Sequence, residues 1–483
     1  MKRAATVVKG ALAAPALAWW CAGLGVLLAA PSLLGGIQMD DHYLRMVVKG
    51  APGLPDLGIS RLDVFTFAGN DAAKNAVRID AGLVPWWTSA NARIRFFRPL
   101  SALTHYLDFR MLDGQWWLMH LQSLLWYGAL CGAAAAAYRR VIPSVWVAGL
   151  AAVFFAADDA HGLPVGWLAN RNALLTGIAG VLTLVSHDYW RRGDCRRDVP
   201  VAYFRFLGPA MMAVGLLCGE AAIGAAGYVA AYALFLDPGT KRERFLSLLP
   251  YGLVAGVYLF FYALAGFGIQ HSGIYAAPLE QPASFVLHVV EHLPVLLHAQ
   301  LGLVSANPYV LMPPRVQQVQ VLLGAAVIAA SFAVFLPMLR RNAVARFWAL
   351  GMVLAALPVS LTLPSDRLLV LPGLGGMGLV AVFIGDVVER YAMDLNGLRR
   401  KVDRGVAVLL ALIHGVLAPL SLPFSSLGVV LPGRILENNL DQINFGSDIR
   451  QESVLFINAP YDVFGASLLT MLSAEAMAAP RHL

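Results

Sequence analysis

Apolar residues in this chain do not alternate with polar ones. They come in long blocks separated by short stretches of charge, proline and glycine. The blocks run over 11–37, 118–138, 141–157, 165–187, 204–218, 221–236, 245–267, 316–339, 344–363, 368–388 and 406–422. A helix needs about 20 mainly apolar residues to cross the hydrocarbon core of a bilayer, and blocks of this kind lack the one-sided stripe of a soluble helix. The pattern predicts an all-α polytopic membrane protein with about eleven transmembrane helices, one for each block.

Basic residues set the expected orientation. Lys2-Arg3, Arg139-Arg140, Arg191-Arg192 with Arg196-Arg197, Lys241-Arg242-Glu243-Arg244, Arg340-Arg341 and Arg399-Arg400-Lys401 all fall on one side if the blocks cross in alternation. Basic loops mark the cytoplasmic face, so the N-terminus is expected inside and the C-terminal tail outside. Alternation requires 285–304 not to cross. That segment carries His288, Glu291, His292, Pro294 and His298, a heavy polar load for lipid, and is expected to lie as an interfacial or re-entrant helix. The stretch 99–112 is too short to cross and is expected to do the same. Two non-spanning regions, 38–97 and 268–315, are then outside, the first holding short amphipathic helices. The division is a membrane domain over 1–424 and a short extracytoplasmic tail over 425–483, in which 453–458 reads as one buried strand. The first block is too long for the apolar region of a signal peptide, about 7–15 residues. An uncleaved first crossing is the reading, with cleavage after Ala18 as the alternative.

Composition agrees. Of the 483 residues, 58% are hydrophobic and 13% charged, against about 25% charged in soluble domains. The net charge of +7 sits in the loops with no dense basic tract, so nucleic acid is not an expected partner. Cys21, Cys131, Cys195 and Cys218 form no C-x-x-C pair, so a zinc or disulfide framework has no support.

The expected outer boundary gathers most of the unusual polar residues. They are Asp40-Asp41-His42 after the first block, Arg98 and His105 before the second, Asp158-Asp159 after the third and Arg171 opening the fourth. Glu220 lies in the short link between the fifth and sixth, and Asp366-Arg367 between the ninth and tenth. Charges at such depth usually face a cavity or one another. Each has a plainer reading: Asp40-Asp41 as a solvated helix end, the arginines as snorkelling side chains, and Asp158-Asp159 paired with Arg171 as structural glue. His288, Glu291 and His292 have spacing that suits a metal, but an interfacial helix face is favoured, and a divalent metal stays open as a cofactor.

Several short motifs resemble the polytopic GT-C glycosyltransferases, closest to the protein O-mannosyltransferase-like branch with its transmembrane TPR-containing mannosyltransferases. They are Asp40-Asp41-His42, then Phe97-Arg98-Pro99-Leu100-Ser101 with Tyr106-Leu107-Asp108, then His120. Trp167-Leu168-Ala169-Asn170-Arg171-Asn172-Ala173-Leu174-Leu175 resembles that branch's "W-hydrophobic-x-x-R-x-x-L-L" stretch. Gly219-Glu220 resembles its "K-E" position with glycine for the basic residue, and Asp366-Arg367 its "D-R" turn. No TPR array follows.

The resemblance implies a GT-C-like fold and an inverting sugar transfer, in a bacterial inner membrane, from a polyprenyl-phosphate-linked sugar donor to an acceptor protein or glycan on the extracytoplasmic side. It implies Asp40 or Asp41 as general base. Arg98, Arg171 and Arg367 would bind the lipid phosphate, and Glu220 would orient an arginine or a sugar hydroxyl. His42, His105, Asp158 and Asp159 are grouped with the substrate-binding residues. The alternatives are a secondary transporter or lipid flippase, which would show repeats and broken midplane helices, and a non-catalytic anchoring protein.

Overall fold

The computed structural model describes residues 2–50, 58–69, 71–81, 83–193, 200–271, 282–302, 304–390, 397–430 and 433–434. The expected strand at 453–458, Cys195 and Arg196-Arg197 lie outside the described residues.

Helices dominate, and every apolar block holds one. In chain order these begin with α1 (Lys2–Leu12), α2 (Leu17–Ala29), α3 (Asp40–Lys49), α4 (Ala72–Asp80), α5 (Pro99–Met111) and α6 (Trp116–Val141). Next come α7 (Val145–Ala156), α8 (Gly162–Gly166), α9 (Arg171–Arg192), α10 (Val201–Cys218), α11 (Gly224–Phe235) and α12 (Lys241–Leu264). The series closes with α13 (Pro282–Leu301), α14 (Pro314–Arg341), α15 (Ala343–Val359), α16 (Val370–Arg390), α17 (Leu398–Leu412) and α18 (Ala418–Ser425).

Among the described residues, seven helical stretches are long and apolar enough to cross a membrane, where the blocks predicted eleven. The shortfall has a physical cause. The apolar helices α7, α11 and α15 are 12, 12 and 17 residues long, and twelve residues rise only about 18 Å against a hydrocarbon core of about 30 Å. The remaining helix, α6, has the length but carries His120, Gln122 and Ser123 in its first turns.

Packing sorts the helices into a centre and a rim. The apolar window of α16 is 94% buried and that of α9 78%, whereas those of α12 and α14 are 17% buried. Glycine lets the neighbours of α16 approach: a Cβ at Gly378 would lie 2.6 Å from the Trp348 ring, and one at Gly375 2.7 Å from the Tyr228 hydroxyl. At the basic ends of the helices, Asp188 receives both Arg140 and Arg192, and Asp237 receives Arg191 at 2.6 Å.

The region 38–97 is a folded cap. Its helices α3 and α4 are amphipathic as expected, but it also holds two strands that the sequence reading missed, β1 (Thr66–Ala68) and β2 (Arg93–Arg95). With β3 (Gly268–Gln270), just beyond α12, they form an antiparallel sheet in the order β1-β2-β3, Ile94 facing Ile269. Asn75 holds the cap together by donating to the carbonyls of Gly69, Ala90 and Ala92, each at 2.9 Å. Helix α13 contacts residues at helix ends through both halves. His292 Nδ1 lies 2.9 Å from the Ser360 carbonyl, and Gln300 Nε2 donates to Asp158 at 3.0 Å.

Candidate active site

Between the cap sheet and the helix ends lies a cavity of about 480 Å³. Phe65, Phe67, Ile94, Phe96 and Ile269 line it from the cap, and Tyr258, Leu259 and Tyr262 from α12. Pro358 and Val359 of α15 and Leu371 of α16 extend this apolar wall. Its charged residues are Asp40, Arg98, Glu220 and Arg367. They come from four points far apart in sequence: the start of α3, the residue before α5, the start of the 3-10 turn Glu220–Ile223, and the turn Asp366–Leu368.

Asp40 and Asp41 separate here. The chain enters α3 through Met39, whose φ of 51° and ψ of −121° are rare for a side-chain-bearing residue; such strain persists only where neighbours hold it. Asp41 is the holder. It is buried, its Oδ2 accepting from the Gln38 N–H at 2.9 Å and its Oδ1 from the Ala169 N–H at 2.6 Å. Asp40 points the other way, into the cavity wall, and has no hydrogen-bond partner among the described residues. Burial pushes its carboxyl up to about 6, against the opposing pull of Arg367 and then Arg98. Burial also pushes Asp41 up, to about 7, against its two N–H donors.

The two cavity arginines differ in the same way. Arg98 Nε donates to Glu220 Oε2 at 2.7 Å, and its guanidinium lies 4.2 Å from the centre of the Phe96 ring. The other carboxylate oxygen of Glu220 accepts from the Tyr262 hydroxyl at 3.1 Å. Arg367 lies 5.2 Å from the centre of the Trp167 ring and has no hydrogen-bond or ion-pair partner among the described residues. Gly219 stands where the resemblance has a basic residue; a Cβ there would press on Thr176 Cγ2 at 3.1 Å and Asn172 Nδ2 at 3.2 Å. Arg98 supplies the cation beside Glu220.

The other expected site residues lie outside the cavity. Arg171 is buried: Nη1 meets Asp108 Oδ2 at 2.6 Å, Nε donates to Ser123 Oγ at 3.0 Å and Nη2 to the Met119 carbonyl at 3.0 Å. Its carboxylate is therefore Asp108, not the Asp158-Asp159 of the plainer reading, because Asp158 accepts from Gln300 and from the Ala160 N–H. Asp159 sits beside Asp158, and burial pushes both up to about 6. His42 is buried next to Asp41 and favours its charged form. His105 is buried against Phe65 and Phe109, and burial holds its imidazole well below its ordinary value.

Sequence reasoning missed Tyr262, Trp167 as a partner of Arg367, and the cap sheet as the cavity roof. Tyr262 lies in a long apolar block, where no local signal marks it. Two N–H donors in residues that line the cavity, Asn170 Nδ2 and Trp167 Nε1, have no hydrogen-bond partner among the described residues.

The described residues of the cavity do not complete a divalent-metal site. Both oxygens of Glu220 are engaged, and Asp40 has arginines for neighbours. Among the described residues no group of three or more His, Cys, Asp or Glu is placed to hold a metal ion.

No protein-family model matches the sequence, and no curated protein matches it. Among solved structures, the apo form of the Archaeoglobus fulgidus oligosaccharyltransferase is similar over 94% of this chain and 64% of its own, at 12% identity and a TM-score of 0.42. The archaeal oligosaccharyltransferase AglB from the same organism, in complex with an inhibitory peptide and a dolichol-phosphate, is similar over 95% of this chain and 64% of its own, at 13% identity and the same TM-score. The chain thus spans 64% of the length of these structures.

Proposed function

We propose that the chain is a membrane glycosyltransferase that takes a sugar from a polyprenyl-phosphate carrier and gives it to an acceptor hydroxyl on the extracytoplasmic side of a bacterial inner membrane. The observation that carries this reading is one cavity, between apolar walls, holding a carboxylate, Asp40, and a guanidinium, Arg367, neither of which has a hydrogen-bond or ion-pair partner among the described residues. The donor needs this combination. A prenyl chain requires apolar surface, a phosphate requires cations with forked donors, and an attacking hydroxyl requires a base.

In the reaction, Asp40 takes the proton of the acceptor hydroxyl as its oxygen forms a bond to the anomeric carbon. The bond from that carbon to the phosphate oxygen breaks, and its electron pair leaves with the polyprenyl phosphate. Attack from the face opposite the leaving group inverts the anomeric centre. Arg367 meets the growing charge on the phosphate, with Arg98, held by Glu220, in the same cavity. A base with a pKa near 6 is well matched to neutral pH.

The test is a comparison of lipid-linked sugars and glycans in cells with and without the gene. The reading expects one polyprenyl-phosphate sugar to accumulate and one glycan to lose a residue when the gene is absent. Unchanged glycans with the lipid-linked sugar stranded on one leaflet would support the transporter instead.

A further inference from the structure

Asp366 and Arg367 are consecutive residues of one short turn, yet no ion pair joins Arg367 to any carboxylate among the described residues. An arginine in a poorly hydrated wall gains from a carboxylate beside it, so the separation needs a cause. The carboxylate of Asp366 is engaged elsewhere. Its Oδ1 accepts from the Ala306 N–H at 2.7 Å, and its Oδ2 accepts from Ser305 Oγ at 2.5 Å and from Asn307 Nδ2 at 3.0 Å. Asn307 also grips the turn in return. Its Oδ1 accepts from the Asp366 N–H at 2.9 Å and from Ser365 Oγ at 2.7 Å. Ser305 Oγ accepts in turn from the Asn307 N–H at 3.1 Å.

We infer that Ser305 and Asn307 are positioning residues for Arg367: they withdraw the Asp366 carboxylate and fix its turn, so that the guanidinium charge stays available to a lipid phosphate in the cavity. This rests on the reading of Arg367 as the phosphate-binding cation. Neither residue lines the cavity, so both act through the turn. The contrast with Arg98 gives the logic. Arg98 carries a carboxylate of its own, Glu220, and is held in place by it. Arg367 has a carboxylate one residue away that five hydrogen bonds tie, through its side chain and turn, to the 305–307 segment. With that segment's grip loosened, Asp366 is the nearest anion in sequence and competes with the phosphate for the same charge.

The experiment uses the full chain in lipid nanodiscs and measures binding of undecaprenyl phosphate, the carrier without its sugar. Asn307→Ala is expected to weaken binding about tenfold, the scale of one charge-assisted interaction. Adding Asp366→Asn to that variant is expected to restore most of the loss, because a neutral amide cannot neutralise Arg367. Ser305→Ala, which removes one donor of three, should give a smaller loss with the same rescue, and serves if Asn307→Ala does not fold. In turnover, the loss should appear in KM for the lipid donor with kcat little changed. Wild-type binding in both single variants overturns the inference, and so does a loss that Asp366→Asn fails to rescue, since a merely structural clamp would be damaged further. Arg367→Gln separates the two levels. If it binds undecaprenyl phosphate as the wild type does, the assignment of Arg367 falls and this inference with it. If it binds weakly while Asn307→Ala does not, only the clamp falls.

Discussion

Asp40 and Asp41 are neighbours in opposite surroundings: Asp40 stands in the cavity wall with no hydrogen-bond partner among the described residues, while Asp41 spends both oxygens on the backbone N–H groups of Gln38 and Ala169. The second of those bonds reaches across 128 residues and pins the start of α3 to the segment before α9. The two substitutions should therefore fail differently. Asp40→Asn is expected to lower kcat by about 10²–10⁴-fold, the usual worth of a positioned base, with the thermal midpoint unchanged. Asp41→Asn replaces one acceptor with an N–H₂ facing an N–H, which costs about 1–3 kcal/mol. It should lower the unfolding temperature while folded molecules keep much of their activity. Paired melting and turnover assays on the two variants make the check.

The pH profile follows from the same residue. As the proposed base, Asp40 must be ionised, and burial raises its carboxyl to about 6. Transfer at saturating donor should fall as pH drops through about 6. Arg367 favours the ionised form, so Arg367→Gln removes a cation and should move that acid limb to higher pH. An acid limb that stays in place in Arg367→Gln would show that the titrating group is not Asp40.

Arg171 should behave as framework. It is buried, with Asp108 at 2.6 Å and two further acceptors. Breaking such a pair from one side leaves an uncompensated buried charge and costs about 3–5 kcal/mol. Asp108→Ala and Arg171→Ala are each expected to reduce the yield of folded protein from membranes, without a selective effect on donor KM. Size-exclusion recovery set beside the KM of the surviving fraction distinguishes this from a phosphate-binding role.

Glu220 should act through Arg98. The pair is partly exposed, with side chains 19% and 27% accessible, which limits its worth to about 1 kcal/mol. Glu220→Gln is expected to raise the donor KM about fivefold, with kcat changing less. Arg98→Lys should likewise raise the donor KM, because lysine lacks the fork that reaches Glu220 while stacking on Phe96.

Much of this architecture was legible in the sequence because a bilayer constrains composition harshly: each apolar block became a helix. Element lengths were less legible. The block over 141–157 yields only α7, since the chain does not enter that helix until Val145. The cap sheet was invisible, because its strands are three residues each and Arg95 pairs with Gly268 from the far end of α12. Four of the expected residues, Asp40, Arg98, Glu220 and Arg367, line one cavity, but the sequence could not choose among like residues. Nothing local separates Asp40 from Asp41, or Arg171 from Arg367. The choice is made by partners distant in sequence: Ala169 for Asp41, Asp108 for Arg171, and the 305–307 segment that occupies Asp366.

In the proposed reaction, Asp40 and Arg367 act on one lipid-linked sugar in one cavity. The most direct measurement is the release of undecaprenyl phosphate from a panel of hexosyl undecaprenyl phosphates by the purified chain in vesicles, supplied with membrane extract as acceptor. At least one hexosyl donor should be cleaved with its label moving to the acceptor, and both Asp40→Asn and Arg367→Gln should sharply lower that transfer while remaining folded. Cleavage that persists undiminished in Asp40→Asn, or movement of the intact donor between leaflets with no cleavage at all, would contradict the account.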